Sequence, residues 1–409
     1  MSAELVQLGD AVREDGGILQ TGPFGSQLKQ AEYSAEGVPV IMPKDIHNGE
    51  ISTESVARVP EVTADRLVRH RVAANGIVLP RRGEVTKRAF IGEQQAGWLC
   101  GTGCLKIETR GNLIWPKYLY YYMGTPGSVE WLERNAVGST MLNLSAEIVS
   151  RFPIRLPDIN AQKDIADILS AYDDLIENNR RRITLLEETA RMLYREWFVH
   201  FRFPGHEHVK IIDGIPGGWE TQSTSVAFEI NPTTPRNDDG EILCVPMAAL
   251  SETAMTVDRS PFELRLKSTN VRFRNSDTLF ARITPCLENG KTGFVYFLQD
   301  NEVACGSTEF IVLRGRTVSP YFVYLTARMD SFRQNAIKSM IGSSGRQRVQ
   351  NSCFDRYRLA VPPKLLASIF DDSVGPMFEQ ISKLDQANQK LAQARDLLLP
   401  RLMSGEIAV

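Results

Sequence analysis

Residues 158–200 read DINAQKDIADILSAYDDLIENNRRRITLLEETARMLYREWFVH, with no proline or glycine among them. Ile165, Leu169, Tyr172, Ile176, Asn179, Ile183, Leu186, Ala190, Leu193 and Trp197 follow one another at alternating steps of four and three. That is the 3.5-residue period of a coiled-coil seam, so the stretch is expected to form one long helix with a narrow apolar stripe. The faces beside the stripe carry Asp173, Asp174, Glu177, Arg180, Arg181, Glu187, Glu188, Arg191 and Arg195. A helix this polar does not sit inside a globule; it needs a partner helix.

The partner is at the end of the chain. Adding 205 to each seam position gives Phe370, Val374, Met377, Ile381, Leu384, Asn388, Leu391, Arg395, Leu398 and Leu402, polar only at Asn388 and Arg395. The offset also holds outside the helices: RFPIRLPDI before the first matches YRLAVPPKL before the second, Pro157 falls on Pro362, and Cys100-Gly101 falls on Cys305-Gly306. NGIVLPR (75–81) resembles SDTLFAR (276–282) at a slightly shorter offset. Self-similarity at a fixed offset marks a repeat. The expected fold is α+β: two similar strand-rich globules separated by two long helices packed as an antiparallel coiled coil, a pseudo-two-fold internal duplication. Its parts are a globule at 1–157, a central spacer helix at 158–203, a globule at 204–362 and a C-terminal spacer helix at 363–409.

Within the first globule Val38–Met42, Gly76–Pro80 and Cys104–Ile107 read as strands, and Pro116–Met123 and Ser128–Asn135 as helices. In the second, Pro320–Arg328 repeats the proline-led helix, and Asn289-Gly290 signals a hairpin between apolar runs. Gly375-Pro376 predicts a break in the last helix: a short piece to about Ser373, a bend, then a main helix to about Leu399.

A chain of 409 residues, 43% hydrophobic and 23% charged, has the composition of a soluble globular protein. The start lacks a basic, apolar leader and no run approaches the ~18 apolar residues of a membrane span, so a cytoplasmic location is expected. Six cysteines without C-x-x-C spacing are expected to be buried and unpaired. His206, Glu207 and His208 are too isolated to suggest a metal. The net charge of -2 leaves room only for a local cationic face. Neither a phosphate loop G-x-x-x-x-G-K-[ST], an N-P-P-[YF], nor a G-x-S-x-G elbow is present, which argues against catalysis by this chain alone.

A helix of about 40 residues is about 60 Å long. Two globules on an antiparallel pair of such helices would act as a ruler with a reading head at each end, and two-fold proteins read DNA half-sites a helical turn or so apart. Halves with a shared scaffold and different loops would read two different sequences.

The chain resembles the DNA specificity subunit of a type I restriction-modification enzyme. The likeness rests on GGILQTGPFGSQLK and GEVTKRAFIGE in the first half and on IENNRRRITLLEETARMLYREWF in the middle. INPTTP, VPMAAL, LENGKTGFV and the final ARDLLLPRLMSGEI carry it through the second half. The resemblance implies two target recognition domains, each reading one half of a split asymmetric site in double-stranded DNA. It further implies helical repeat regions that dock the methyltransferase (modification) subunits. Those subunits use S-adenosylmethionine to methylate adenine, and an ATP-dependent restriction and translocase subunit, with ATP and Mg2+, joins them. This chain would then hold no cofactor and no catalytic residue. A reading from another class is a coiled-coil scaffold that binds proteins and never DNA.

Reading residues are expected on loops that leave the sheets. In the first globule these are Gln20, Thr21, Ser26 and Lys29 around the Gly22–Gly25 turn, then Lys44, then Arg81, Arg82, Lys87 and Arg88 in RRGEVTKR, and Ser139 and Thr140 in VGSTM. In the second they are Arg236, Arg282, Thr284, Asn289 and Lys291, with Ser343, Ser344, Arg346 and Arg348 in IGSSGRQRV. Arginine grips guanine bidentately or a phosphate singly, and these loops carry both hydroxyls and amides. Each group also has a plainer reading: a solvated basic turn at 81–88, a chain reversal at Gly22–Gly25, a hairpin at Asn289. Asn179 and Asn388, polar in an apolar seam, either bond to each other or face a partner subunit. Trp197, Phe198 and the leucines of 397–402 offer apolar surface for docking.

Overall fold

The structure, a computed structural model, describes residues 5–47, 49–53, 56–138, 142–235, 240–343 and 345–409. It divides into two compact units, Met1–Leu175 with Leu391–Val409, and Ile176–Lys390. The central helix, Ile159–Phe198, and the C-terminal helix, Lys364–Ser404, each contribute to both units.

In the first unit the wholly buried run Ile77–Pro80 pairs antiparallel with Cys104–Glu108 and with Ala89–Phe90. Ile18–Thr21 joins the sheet on the other side of Cys104–Glu108. A second sheet sets Val38–Ile41 antiparallel to Ala57–Val59 and parallel to Leu99–Cys100. Leu5–Gln7 pairs with Pro153–Arg155, just before the central helix. Helices Pro116–Tyr122 and Pro126–Asn135 each open on proline, whose missing N–H is no loss in a first turn. Their Tyr118, Leu119 and Leu132 join Leu79, Leu105 and Ile107 in one core, which Ile165, Leu169, Leu399 and Leu402 of the long helices complete.

The second unit repeats the plan. Thr278–Ala281 pairs with Phe310–Gly315 and Thr292–Phe294, and Phe228–Ile230 joins on Phe310–Gly315. Ile242–Val245 runs antiparallel to Glu263–Arg265 and parallel to Ala304–Gly306. Cys244 therefore faces Cys305 as Ile41 faces Cys100. Glu220–Ser223 pairs with Arg358–Val361, just before the C-terminal helix.

Within each unit the long helices pair antiparallel. In the second, the Trp197 and Phe370 rings are 5.5 Å apart, while Asn179 Nδ2 donates to Asn388 Oδ1 at 2.9 Å. In the first, Arg395 Nη1 donates to Asp173 Oδ1 at 2.5 Å. The offset of 205 carries residues 165, 169 and 173 with 395, 399 and 402 onto 370, 374 and 378 with 190, 194 and 197, so the helices exchange roles between units. Where the first unit has the ion pair Asp173–Arg395, the second has buried Phe378 and Ala190.

Three sequence expectations are corrected. The C-terminal helix does not break at Gly375-Pro376 but runs unbroken over Lys364–Ser404. Gly375 has no Cβ to clash with the proline ring, and the flanking Phe370, Val374, Phe378 and Ile381 are at most 4% exposed. Burial worth ~1.5–3 kcal/mol per side chain outweighs the ~3 kcal/mol of an interior proline. Asn289-Gly290 is not a two-residue hairpin turn: the paired strands Thr278–Ala281 and Thr292–Phe294 are joined by residues 282–291, and Asn289 N–H bonds back to the Pro285 carbonyl. Glu187, read as lying beside the stripe, is 4% exposed. It is tolerated there because the Met255 N–H, the Tyr324 hydroxyl and Arg191 all donate to it. The six cysteines are unpaired and, apart from the half-buried Cys286, buried; burial pushes the Cys100 thiol up to about 12.

Candidate nucleic-acid interface

Each unit straps the loop that follows its buried strand to a second loop near the end of its globule. In the first, Arg81 N–H donates to the Gly103 carbonyl and the Arg81 carbonyl accepts from Leu144 N–H, both at 2.8 Å. In the second, Arg282 N–H donates to the Glu309 carbonyl (3.0 Å) and the Arg282 carbonyl accepts from Val349 N–H (2.9 Å). Isolated bridges Arg82–Asn143 and Val137–Asn143 have counterparts in Ile283–Arg348 and Ile341–Arg348. Arg81 and Arg282 thus occupy equivalent places, and in both the Nε is buried without a hydrogen-bond partner.

Around the strap in the first unit, the Arg81 guanidinium lies 5.8 Å from the centre of the exposed Phe24 ring on the Gly22–Gly25 turn. The turn sits tight against the sheet, since a Cβ on Gly22 would lie 1.9 Å from the Gly101 carbonyl oxygen. Ser26, Lys29, Lys44 and Arg82 are exposed, and Lys29 N–H donates to Glu32 at 2.8 Å. Gln20 lies 3.3 Å from His70 Nδ1, and the Thr21 carbonyl is 3.1 Å from that nitrogen. Burial, then the Arg69 charge, hold His70 below its ordinary value and so neutral. Lys87 pairs with Glu84. Arg88 turns inward: its Nε donates to the Tyr120 carbonyl at 2.8 Å and its guanidinium lies 4.9 Å over the Tyr120 ring. Ser139 and Thr140 lie outside the described residues.

In the second unit Arg346 is exposed on the loop, whereas Arg348 is held by Glu309 through Nε (3.0 and 2.9 Å) and Nη2 (2.6 Å). Thr284 is buried and accepts from Gln347 N–H at 3.1 Å, which fixes the strap. Lys291 Nζ donates to the Met247 carbonyl at 3.3 Å and Asn289 Nδ2 to Glu252 at 2.9 Å. Ser343 is exposed; Ser344 and Arg236 lie outside the described residues. The structure therefore distinguishes exposed loop cations such as Arg82 and Arg346 from Arg88, which turns inward, and from Arg348, which is exposed but paired with Glu309.

Sequence reading passed over Glu309, the partner of Arg348, and Arg328, whose guanidinium donates to the Glu252, Gly290 and Thr292 carbonyls at 3.0 Å each. No spacing pattern joins these residues to the loops; only position 328, offset by 204 from Gly124, could have drawn notice. Among the described residues no group of three or more His, Cys, Asp or Glu could hold a metal ion. No helix among them is long and apolar enough to cross a membrane.

Residues 25–188 match the family of the type I restriction modification DNA specificity domain. The MjaIX specificity subunit of a type I restriction enzyme from Methanocaldococcus jannaschii is 26% identical over 402 residues, spanning 93% of this chain and 89% of that one. The HindI specificity subunit of Haemophilus influenzae is 23% identical over 387 residues, 78% of this chain and 83% of that one. The crystal structure of a type I restriction-modification S subunit from M. genitalium superposes with a TM-score of 0.56 over 98% of this chain and 96% of that one, at 12% identity, a likeness of fold. The matched domain is one named for DNA specificity. Over most of its length the chain is similar to type I restriction enzyme specificity subunits.

Proposed function

We propose that this chain reads a split, asymmetric DNA site, one half with each globule, 1–157 and 204–362. The observation that carries this is the repeated strand order with unlike loops: the same strap presents Arg82 in one unit and Arg346 in the other, on loops of different sequence. Identical halves would favour a palindrome; unlike halves favour two different half-sites. Surface cations of the loops contact phosphates or base edges, with Arg81 and Arg282 at the root of each loop.

The spacer helices, 158–203 and 363–409, set the distance between half-sites and dock the methyltransferase subunits, with exposed Leu175, Leu365 and Leu397 as apolar contact points. Those subunits supply adenine methylation with S-adenosylmethionine, and the ATP- and Mg2+-dependent restriction subunit completes the complex in the cytoplasm. This chain itself contributes recognition and no catalytic group or cofactor.

The test is methylation mapping by long-read sequencing in cells carrying this chain and its methyltransferase, against cells lacking the chain. A split adenine-modified motif that depends on the chain is expected. Exchange of residues 204–362 for those of a relative is expected to change one half of the motif. A change in both halves, or no chain-dependent motif beside an active methyltransferase, overturns the reading.

A further inference from the structure

Two equivalent places, one in each unit, hold an arginine guanidinium that reaches them from different positions in the chain. Strand register sets the equivalence: Ala89 faces Val78 in one sheet as Gly293 faces Leu279 in the other, which matches Arg88 with Thr292. The helices that open at Pro116 and Pro320 match Tyr120 with Tyr324 and Gly124 with Arg328.

In the first unit the guanidinium comes from the loop. Arg88 lies over the Tyr120 ring and bonds its carbonyl, filling the space that a side chain at 124 would need; a Cβ on Gly124 would lie 1.7 Å from Arg88 Nη2. In the second it comes from the helix. Arg328 lies 5.6 Å over the Tyr324 ring and donates to the carbonyls of Gly290 and Thr292, so it grips the backbone of the residue that stands where Arg88 stands. An acid on the central helix completes each cluster. Asp173 accepts from Tyr121 and Arg395 in the first, and Glu187 accepts from Tyr324 and lies 3.9 Å from Arg328 in the second.

We infer that Arg88 and Arg328 are positioning residues for DNA reading, each locking the far end of its unit's loop, 81–88 or 282–291, to the helix that opens at Pro116 or Pro320. The near end is already held by the strap at Arg81 or Arg282. A loop held at both ends loses less conformational entropy on binding, so its surface cations meet DNA in one arrangement. The planar fork of five donors suits arginine to stack on a ring while bonding carbonyls; lysine has no such fork. The inference rests on the proposal that each unit reads one half-site.

The experiment uses the full-length chain assembled with its methyltransferase subunits, and selects bound duplexes from a randomised library. Wild type, R88T, R88K, G124R, R88T/G124R and R328G are compared, each with a thermal unfolding curve. R88T and R88K are expected to lower preference in one half-site by about tenfold, the scale of one lost charge-assisted hydrogen bond, and to leave the other half intact; R328G does the reverse. R88T/G124R transplants the second unit's arrangement and restores the lost preference, whereas G124R alone lowers it because Arg88 still fills the space. If R88K and R88T read both halves as wild type does, or if a wild-type-stable R88T/G124R reads no better than R88T, the inference is wrong while half-site reading stands. A wild-type chain without a split preference removes both.

Discussion

Replacing Asn179 with leucine tests the helix pair at the contact between two facing asparagines. Asn179 Nδ2 donates to Asn388 Oδ1 at 2.9 Å, among Ile176, Ile183, Ile381 and Leu384, each at most 6% exposed. N179L removes the donor and leaves the Asn388 amide half-buried against apolar neighbours. A lost hydrogen bond with a stranded partner costs about 1–3 kcal/mol, and N388L is expected to cost a similar amount. The double variant N179L/N388L strands nothing and fills the seam with leucine, so it is expected to be neutral or more stable than wild type. The coupling between the two sites is therefore about 2–6 kcal/mol, the sum of the two single costs. Urea unfolding of the four proteins, with hydrogen exchange of peptides from 176–198 and 364–390 to localise the change, measures it. Additive single effects, with the double variant the least stable, would refute the reasoning.

Three further outcomes are expected. Arg69 Nε donates to His70 Nε2 at 3.0 Å, so the proton of the neutral ring is on Nδ1, facing the Thr21 carbonyl. Because the folded value is depressed below 6.5, stability from neutral His70 is present above that pH and lost as pH falls through the lower folded value. The urea midpoint of wild type should drop on acidification more than that of H70Q; equal slopes would contradict this. R346A should weaken DNA binding and reduce the slope of log affinity against log salt by about one, whereas R348A and E309A should resemble each other because they break one ion pair. Unlike effects of the last two, in salt-dependent binding assays, would count against the brace. Four residues inserted beside both Asn179 and Asn388 lengthen each helix by about 6 Å and should shift the tolerated spacing of the recognised site by about two base pairs. Insertion in one helix alone should destabilise the chain by breaking the seam; a matched insertion that leaves the spacing unchanged would mean the helices do not set it.

The helix pair, the duplication and most buried strands were legible in the chain because period and offset are one-dimensional facts. The steps of four and three from Ile165 to Trp197, and their images 205 residues on, leave little else for those residues to form. Strands such as Ile77–Pro80 were legible because they are short apolar runs buried along their whole length. The state of each loop cation was not. Arg82 and Arg88 sit in the same octapeptide, yet Arg88 is claimed by the Tyr120 carbonyl 32 residues away, and Arg348 by Glu309 at a separation of 39. A partner brought close by the sheet leaves no mark at fixed spacing. The same holds for Gly375-Pro376, where local propensity argues for a break and packing against Phe370, Val374 and Phe378 overrides it. Local periodicity fixes which segments must pair; whether a polar side chain is free, braced or buried depends on neighbours supplied from elsewhere in the chain, because burial and hydrogen bonding are properties of three-dimensional proximity.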